Sequence, residues 1–213
     1  MTPTPLPLDT VAAWAVDLME TLGAPGAGIA IALENLFPPL PSEIILPLAG
    51  FTASRGGFSL LEALVWTTVG SVLGALALYG LGVWFGAERL KRIADRLPLV
   101  RVSDVERAEA WFARHGGKAV LLGRMVPLFR SLISVPAGVQ RMSLMRFTVL
   151  TTIGSGIWNT VFVLAGYGLG ENWHLVEQYA DILQKLVILV CTTALAGFLA
   201  IRIRQGLRAR AAR

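Results

Sequence analysis

Charge is what this chain has least of. Asp, Glu, Lys and Arg make up 15% of its 213 residues, where a soluble domain carries about a quarter. Hydrophobic residues reach 54% and the mean hydropathy is +0.63. Those values exclude an ordinary soluble domain and indicate one compact integral membrane unit. Cysteine is nearly missing: Cys191 stands alone in an apolar run, which rules out a disulfide framework and leaves it a packing role. Two histidines, His115 and His174, fall near expected membrane boundaries and have no partner at metal-ligand spacing. Zinc, haem, Walker and nucleophile-elbow signatures are missing too, so no metal, no cofactor and no enzyme chemistry are expected. No Lys or Arg occurs before Arg55, so the first helical stretch lacks the basic flank of a signal peptide.

The net charge of +5 does not indicate nucleic acid. The basic residues form two blocks beside apolar segments, as they do on the inner side of membrane proteins.

The scarce charges sit in unusual places. Glu34 to Gly50 reads ENLFPPLPSEIILPLAG, apolar except for Glu34 and Glu43. A charge at mid-bilayer costs roughly 2.5–3.5 kcal/mol even on the lower scales. Pro38, Pro39 and Pro41 break any helix that tries to cross there. This combination predicts a hairpin that enters the membrane and returns, its backbone buried in protein or lining a wet cavity.

Gly123 to Gly138, GRMVPLFRSLISVPAG, repeats that design. A shift of 88 residues sets Pro39-Leu40 on Pro127-Leu128, Ile45 on Ile133 and Ala49-Gly50 on Ala137-Gly138. The same shift sets Tyr79-Gly80-Leu81-Gly82 on Tyr167-Gly168-Leu169-Gly170. Two copies of one unit follow, each a broken hairpin and then a spanning helix. The first copy carries the acids Glu34 and Glu43. The second carries Arg124 and Arg130.

In chain order, residues 1–8 are proline-rich and expected to be loose. Residues 9–22 suit an interfacial helix capped by Asp9 or Thr10. Residues 25–50 form the first re-entrant hairpin, with Ser42 as N-cap of its outbound arm and Glu43 at the positive end of that half-helix. Pro47 predicts a kink. Residues 59–85 make the first span, where Gly70 and Gly74 invite close helix packing and Trp84 suits an interface. Residues 86–118 form an amphipathic linker of two helices. Pro98 ends the first, Ser103 and Glu106 form a capping box for the second, and Gly116-Gly117 end it. A calmodulin-like or nucleic-acid target is the weaker reading of that linker. Residues 119–138 make the second hairpin, turning at Pro127. Spans at 147–168 and 185–203 follow, separated by the acidic stretch 171–184, and 204–213 is a basic tail.

Basic segments stay inside, which puts the linker and the C-terminus in the cytoplasm and the 171–184 stretch outside. The first hairpin then opens outward and the second inward. The expected fold is an all-α polytopic membrane protein built on an inverted repeat, with the site near the midplane.

These motifs, with Gly154 to Trp158 (GSGIW), resemble the DedA family, whose domain is also called SNARE-associated or VTT. The resemblance covers about residues 28–170. It implies a bacterial plasma-membrane protein linked to recycling of undecaprenyl phosphate in a manner tied to proton-motive force; eukaryotic relatives are phospholipid scramblases. It implies importance for an acidic pair matching Glu34 and Glu43 and an arginine pair matching Arg124 and Arg130. Pro39, Pro41, Gly50, Pro127, Pro136 and Gly138 shape the hairpins. One departure concerns Ser42-Glu43, which stands closer to Glu34 than in members with Gly-Asp before the outbound arm. That leaves the lipid or ion open.

The mechanism expected from these residues is proton-coupled inward movement of an anionic headgroup, from a polyprenyl phosphate or a phospholipid. Arg124 and Arg130 hold the phosphate, while Glu34 and Glu43 carry or gate the proton. Glu34 and Glu43 are expected to face both arginines, and purely structural ion bridges would use the same pairs. Two other classes remain: a proton-driven exchanger of small cations, which would need the acids most, and a phosphatase or transferase. Ser42, Ser131 and Ser134 have no adjacent base, so hydrogen bonding or capping is their expected role.

Overall fold

The computed structural model describes residues 7–37, 42–96, 102–127 and 129–169. Within them the chain is helical apart from short turns, and no strand occurs among the described residues. The helices are α1 (Pro7–Leu22), α2 (Ala24–Leu36), α3 (Ser42–Ser54), α4 (Leu60–Arg96), α5 (Val102–Gly123), α6 (Phe129–Leu132), α7 (Ser134–Val139) and α8 (Leu144–Leu169). The turn prolines Pro39 and Pro41, Pro98, His174, Cys191, the acidic stretch, the third span and the basic tail lie outside the described residues.

Among the described residues two helices are long and apolar enough to cross a membrane, Leu60–Arg89 and Leu144–Leu169. At 1.5 Å per residue, 26 residues of α8 reach about 39 Å, more than the ~30 Å hydrocarbon core. Their outward surfaces are apolar. Leu61, Val65, Val69 and Leu73 on α4, and Val149, Ile153, Ile157 and Val161 on α8, are exposed at four-residue spacing. Such stripes on both spans would be a liability in water. In lipid they are the solvent-facing side.

The interior inverts the usual order. Buried residues run Ala63, Thr67, Ser71, Ala75 along α4 and Phe147, Thr151, Ser155, Asn159, Val163 along α8. The apolar ends of these rows belong to two separate clusters. One gathers α1, α2 and α3 with Ala63 and Val163; the other joins Ala75, Phe112, Val120, Ala137 and Phe147. The hydroxyls and the amide lie between them, near the middle of each span. Next to these rows the helical path is interrupted, at Phe37 after α2 and at Met125 to Pro127 after α5.

Close backbone crossings weld the helices together. A side chain at Gly70 would strike the Gly28 carbonyl, and one at Gly74 would meet Ala32 and Asn35, so α2 lies directly on α4. Gly50 of α3 abuts Val163 and Tyr167 of α8, and Gly138 of α7 abuts Tyr79 and Val83 of α4. Helix α3 of the first half therefore rests on α8 of the second, and α7 of the second rests on α4 of the first. The 88-residue shift carries Gly50 to Gly138 and Tyr79 to Tyr167, so the two crossings correspond.

Several boundaries depart from the sequence reading. The helix α1 begins at Pro7, so Asp9 and Thr10 are helical rather than capping residues, and Pro7 and Leu8 are not loose; proline suits a first turn, where its missing N–H is not needed. Gly116 and Gly117 do not end α5, which runs on to Gly123. They serve packing instead. The Phe112 ring folds over Gly116, and the Arg146 guanidinium lies against Gly117. The inbound arm expected from residue 119 is thus the end of α5. Helix α5 starts at Val102, which makes Ser103 a helical residue rather than a cap. Ser42 is the first residue of α3, and its buried hydroxyl has no hydrogen-bond partner. Gly86 breaks α4 where the linker was expected to begin; its φ of 64° and ψ of 165° are open to glycine alone. Just before it, Trp84 and Phe85 are exposed, and Arg89 covers the Trp84 ring at 5.1 Å, as suits a membrane boundary.

Candidate functional site

The site forms where the end of α2 meets the turn after α5. The buried face of α2 includes Ala27, Ala30, Ile31 and Glu34, the three-and-four spacing of one helix side. It brings Glu34 inward together with Asn35. From the second half come Arg124, one residue past the end of α5, and Arg130 on α6. A turn through Met125, Val126 and Pro127 joins them, with Arg130 N–H bonded to the Val126 carbonyl at 3.0 Å.

Glu34 and Arg130 form a buried ion pair, in which Arg130 Nη2 donates to Glu34 Oε2. Their side chains are 6% and 4% exposed. Arg124 is buried as deeply, at 2% exposed, but its partners are neutral. Its Nη2 donates to Ser134 Oγ at 2.8 Å, and its Nη1 reaches Asn35 Oδ1 at 3.4 Å. The same Asn35 oxygen accepts from Ser131 Oγ at 3.3 Å, and Asn35 Nδ2 donates to the Ile31 carbonyl at 3.1 Å. Asn35 is therefore a hub between α2 and the second half.

The expected facing of two acids and two arginines is realised in one pair. Glu43, in the first turn of α3, is half-buried and makes no ion pair with a described residue. It remains within Coulombic reach of Glu34, as does Arg124. The long path of Arg124 explains its separate partners. Gly154 on α8 has no side chain, so the Arg124 stem lies against that helix and the guanidinium arrives beside Asn35 and Ser134. This contact is the local role of Gly154, the first of the two glycines in Gly154 to Trp158.

Among the described residues several buried polar atoms have no partner, including Arg124 Nε and Arg130 Nε at the site and Ser42 Oγ, Thr151 Oγ1 and Asn159 Oδ1 on α3 and α8. Unmet groups of this kind are costly. Asn159 Nδ2 does donate to Ser71 Oγ at 3.2 Å, joining the two spans. Ser131 and Ser134 have the hydrogen-bonding roles expected of them. Asn35, Ser71, Thr151 and Asn159 were not singled out from the sequence. Their signal was available: Asn35 adjoins Glu34, and Thr151, Ser155 and Asn159 recur every fourth residue on an apolar helix.

Of the hairpin residues, Pro127 lies in the turn between α5 and α6, and its carbonyl accepts from Phe129 N–H at 2.8 Å. Pro136 lies in α7, where its carbonyl accepts from Gln140 N–H at 3.0 Å. Gly50 and Gly138 are the crossing points on the spans. Among the described residues, no group of three His, Cys, Asp or Glu side chains converges as a metal site would need.

A family profile described as the VTT domain matches residues 40–168. A protein of Lactococcus lactis subsp. cremoris named alkaline phosphatase-like protein is 40% identical, over 82% of this chain and 84% of its own length. Undecaprenyl phosphate transporter A of Staphylococcus aureus is 34% identical, over 81% of this chain and 89% of its own. The DedA protein of Escherichia coli K12 is 27% identical, over 83% and 79%. No solved structure matches.

Proposed function

The chain belongs to the VTT-domain family of DedA-type membrane proteins, and from that membership we propose that it moves an anionic lipid headgroup across the membrane, with undecaprenyl phosphate as the substrate. The name of the Staphylococcus relative supports the substrate. The observation that carries the reading is Arg124. Among the described residues it is a buried cation whose hydrogen-bond partners are neutral, and its Nε has none. Burying a charge without an opposite charge is strongly unfavourable. A phosphate entering beside Asn35 would supply the missing charge, and the planar guanidinium fork suits it.

Arg130 is the second ligand in this scheme. A phosphate that draws Arg130 away from Glu34 leaves a carboxylate in a low-dielectric surrounding, where a proton neutralises it. Glu34 thereby couples headgroup occupancy to proton uptake. Glu43, half-buried and within Coulombic reach of Glu34, is the next group on the proton's route. The corresponding crossings Gly50–Tyr167 and Gly138–Tyr79 support two halves of opposite sense. In that reading the end of α2 and the turn after α5 belong to re-entrant hairpins that open to opposite sides, with the C-terminus in the cytoplasm of a plasma-membrane protein.

The test is headgroup translocation in vesicles containing the purified chain and a polyprenyl phosphate. Arg124→Gln and Arg130→Lys should each reduce transport at least tenfold, about the loss of one charge-assisted hydrogen bond of 1.4 kcal/mol or more. Glu34→Gln should remove the dependence on a pH gradient. Full, pH-sensitive transport by Arg130→Lys or Glu34→Gln would end this reading. A phospholipid substrate would appear as transport of that lipid instead. A cation exchanger would show Na⁺ or K⁺ flux, and the Lactococcus protein's name makes release of inorganic phosphate a worthwhile control.

A further inference from the structure

A cleft of about 380 Å³ opens between α5, the turn after α7 and the start of α8. Phe112, Arg114, Gly117, Gln140, Ser143 and Arg146 are among the residues that line it. None of Glu34, Asn35, Arg124 and Arg130 does. The cleft lies at the N-terminal end of α8, eight residues before the Gly154 that adjoins Arg124, or about 12 Å along the helix. It is a separate place from the mid-span site.

Among the described residues two arginines line it and no carboxylate does. Arg114 and Arg146 make no ion pair among the described residues. The first turn of α8 holds no acid, and the free N–H groups of that 26-residue helix present a partial positive charge. Arg146 itself stands in that first turn, a position the helix dipole disfavours for a cation. It is held there by packing: a Cβ at Gly117 would come within 2.6 Å of Arg146 Nη2, so the missing side chain on α5 makes a bed for the guanidinium. Two arginine forks, the amide of Gln140, the hydroxyl of Ser143 and a helix N-terminus are the donors that phosphate oxygens take. Phe112 and Met142 add apolar surface to the lining. Exposed Leu144 and Met145 adjoin it. The volume falls in the ~300–1,000 Å³ range of small-molecule sites, room for a phosphate with a small polar group attached.

We infer that this cleft is a second anion site, which holds a phosphate group carried by an anionic lipid of the adjoining leaflet or free in solution. The inference does not depend on the transport reading, because it concerns retention at the end of α8 rather than passage at mid-span.

Native mass spectrometry of the full chain in detergent tests it, with phosphatidylglycerol, phosphatidylcholine and inorganic phosphate as probes. The wild type should retain one more phosphatidylglycerol than Arg114→Gln/Arg146→Gln, whose affinity falls about tenfold or more because neither guanidinium remains to hold the phosphate. Phosphatidylcholine retention should not differ. Inorganic phosphate retained by the wild type and released by the same variant, with phosphatidylglycerol indifferent, would assign the site to free phosphate. Ser143→Asp serves as the second variant. Aspartate favours a helix N-terminus, so it should preserve or raise the unfolding midpoint while its carboxylate displaces the ligand. Equal retention of both anionic probes by the wild type and either folded variant would overturn the inference. So would loss of the extra anion in Arg130→Gln with none lost in the cleft variants, since that would place the ligand at mid-span.

Discussion

Glu34 and Arg130, 96 positions apart in the chain, meet as a buried ion pair between the end of α2 and the short helix α6. The pair ties one half of the molecule to the other at the depth where both spans turn polar. It is also asymmetric, since the neighbouring Arg124 rests on Asn35 and Ser134 and has no carboxylate partner among the described residues.

That asymmetry makes the pair a thermodynamic test. Removing one partner leaves an uncompensated buried charge, so Arg130→Leu or Glu34→Leu alone should destabilise by about 3–5 kcal/mol. The double substitution should cost less than the sum of the two. Denaturation of the four proteins in detergent closes the cycle, and additive losses would mean that the two groups do not interact energetically.

Asn35 offers a sharper probe of Arg124. Asn35→Leu strips an acceptor from Arg124 and Ser131 and should cost about 1–3 kcal/mol. Asn35→Asp instead supplies the carboxylate that Arg124 lacks. It should leave the fold as stable or more so while suppressing headgroup transport, because the phosphate then competes with a resident anion. Transport at the wild-type rate by Asn35→Asp would detach Arg124 from substrate binding.

The glycines separate into two groups by what surrounds them. Gly70 and Gly138 face the backbones of Gly28 and Tyr79, so Gly70→Val or Gly138→Val should prevent a monodisperse, folded protein in gel filtration. Gly80 and Gly156 have nothing within 4 Å of a would-be Cβ. Gly80→Ala or Gly156→Ala should be neutral or raise the unfolding midpoint, as alanine is better in helices by up to about 1 kcal/mol.

Arg141 occupies the left-handed region at φ 47°, where glycine is the default. It follows Gln140, the C-cap of α7, and the bonds Met142 N–H to Ala137 carbonyl and Arg141 N–H to Gly138 carbonyl complete a Schellman turn. Arg141→Gly should relieve the roughly 1–2 kcal/mol that an L-residue loses in this conformation, offset in part by the greater freedom of an unfolded glycine. A higher unfolding temperature is the expected readout.

Much of this molecule was legible in the order of its residues. The apolar runs at 59–85 and 147–168 are long enough to cross a bilayer, and scarcity of charge makes Glu34, Arg124 and Arg130 stand out. The 88-residue shift marks Gly50 and Gly138 as equivalent before their crossings with Tyr167 and Tyr79 are known. These are local or periodic properties, so composition and spacing carry them. Other features depend on which helix lies beside which. Gly116-Gly117 look like a helix end, yet the Phe112 ring and the Arg146 guanidinium fill the space over them and α5 continues. Glu43 carries the same charge as Glu34, but among the described residues Glu34, on the buried face of α2, is the one that reaches an arginine. Asn35 becomes a hub because Gly154 lets the stem of Arg124 lie against α8 and deliver its guanidinium there. A sequence can announce that a buried charge needs a partner; the partner's identity is decided by packing between elements about ninety residues apart, where no local pattern reaches.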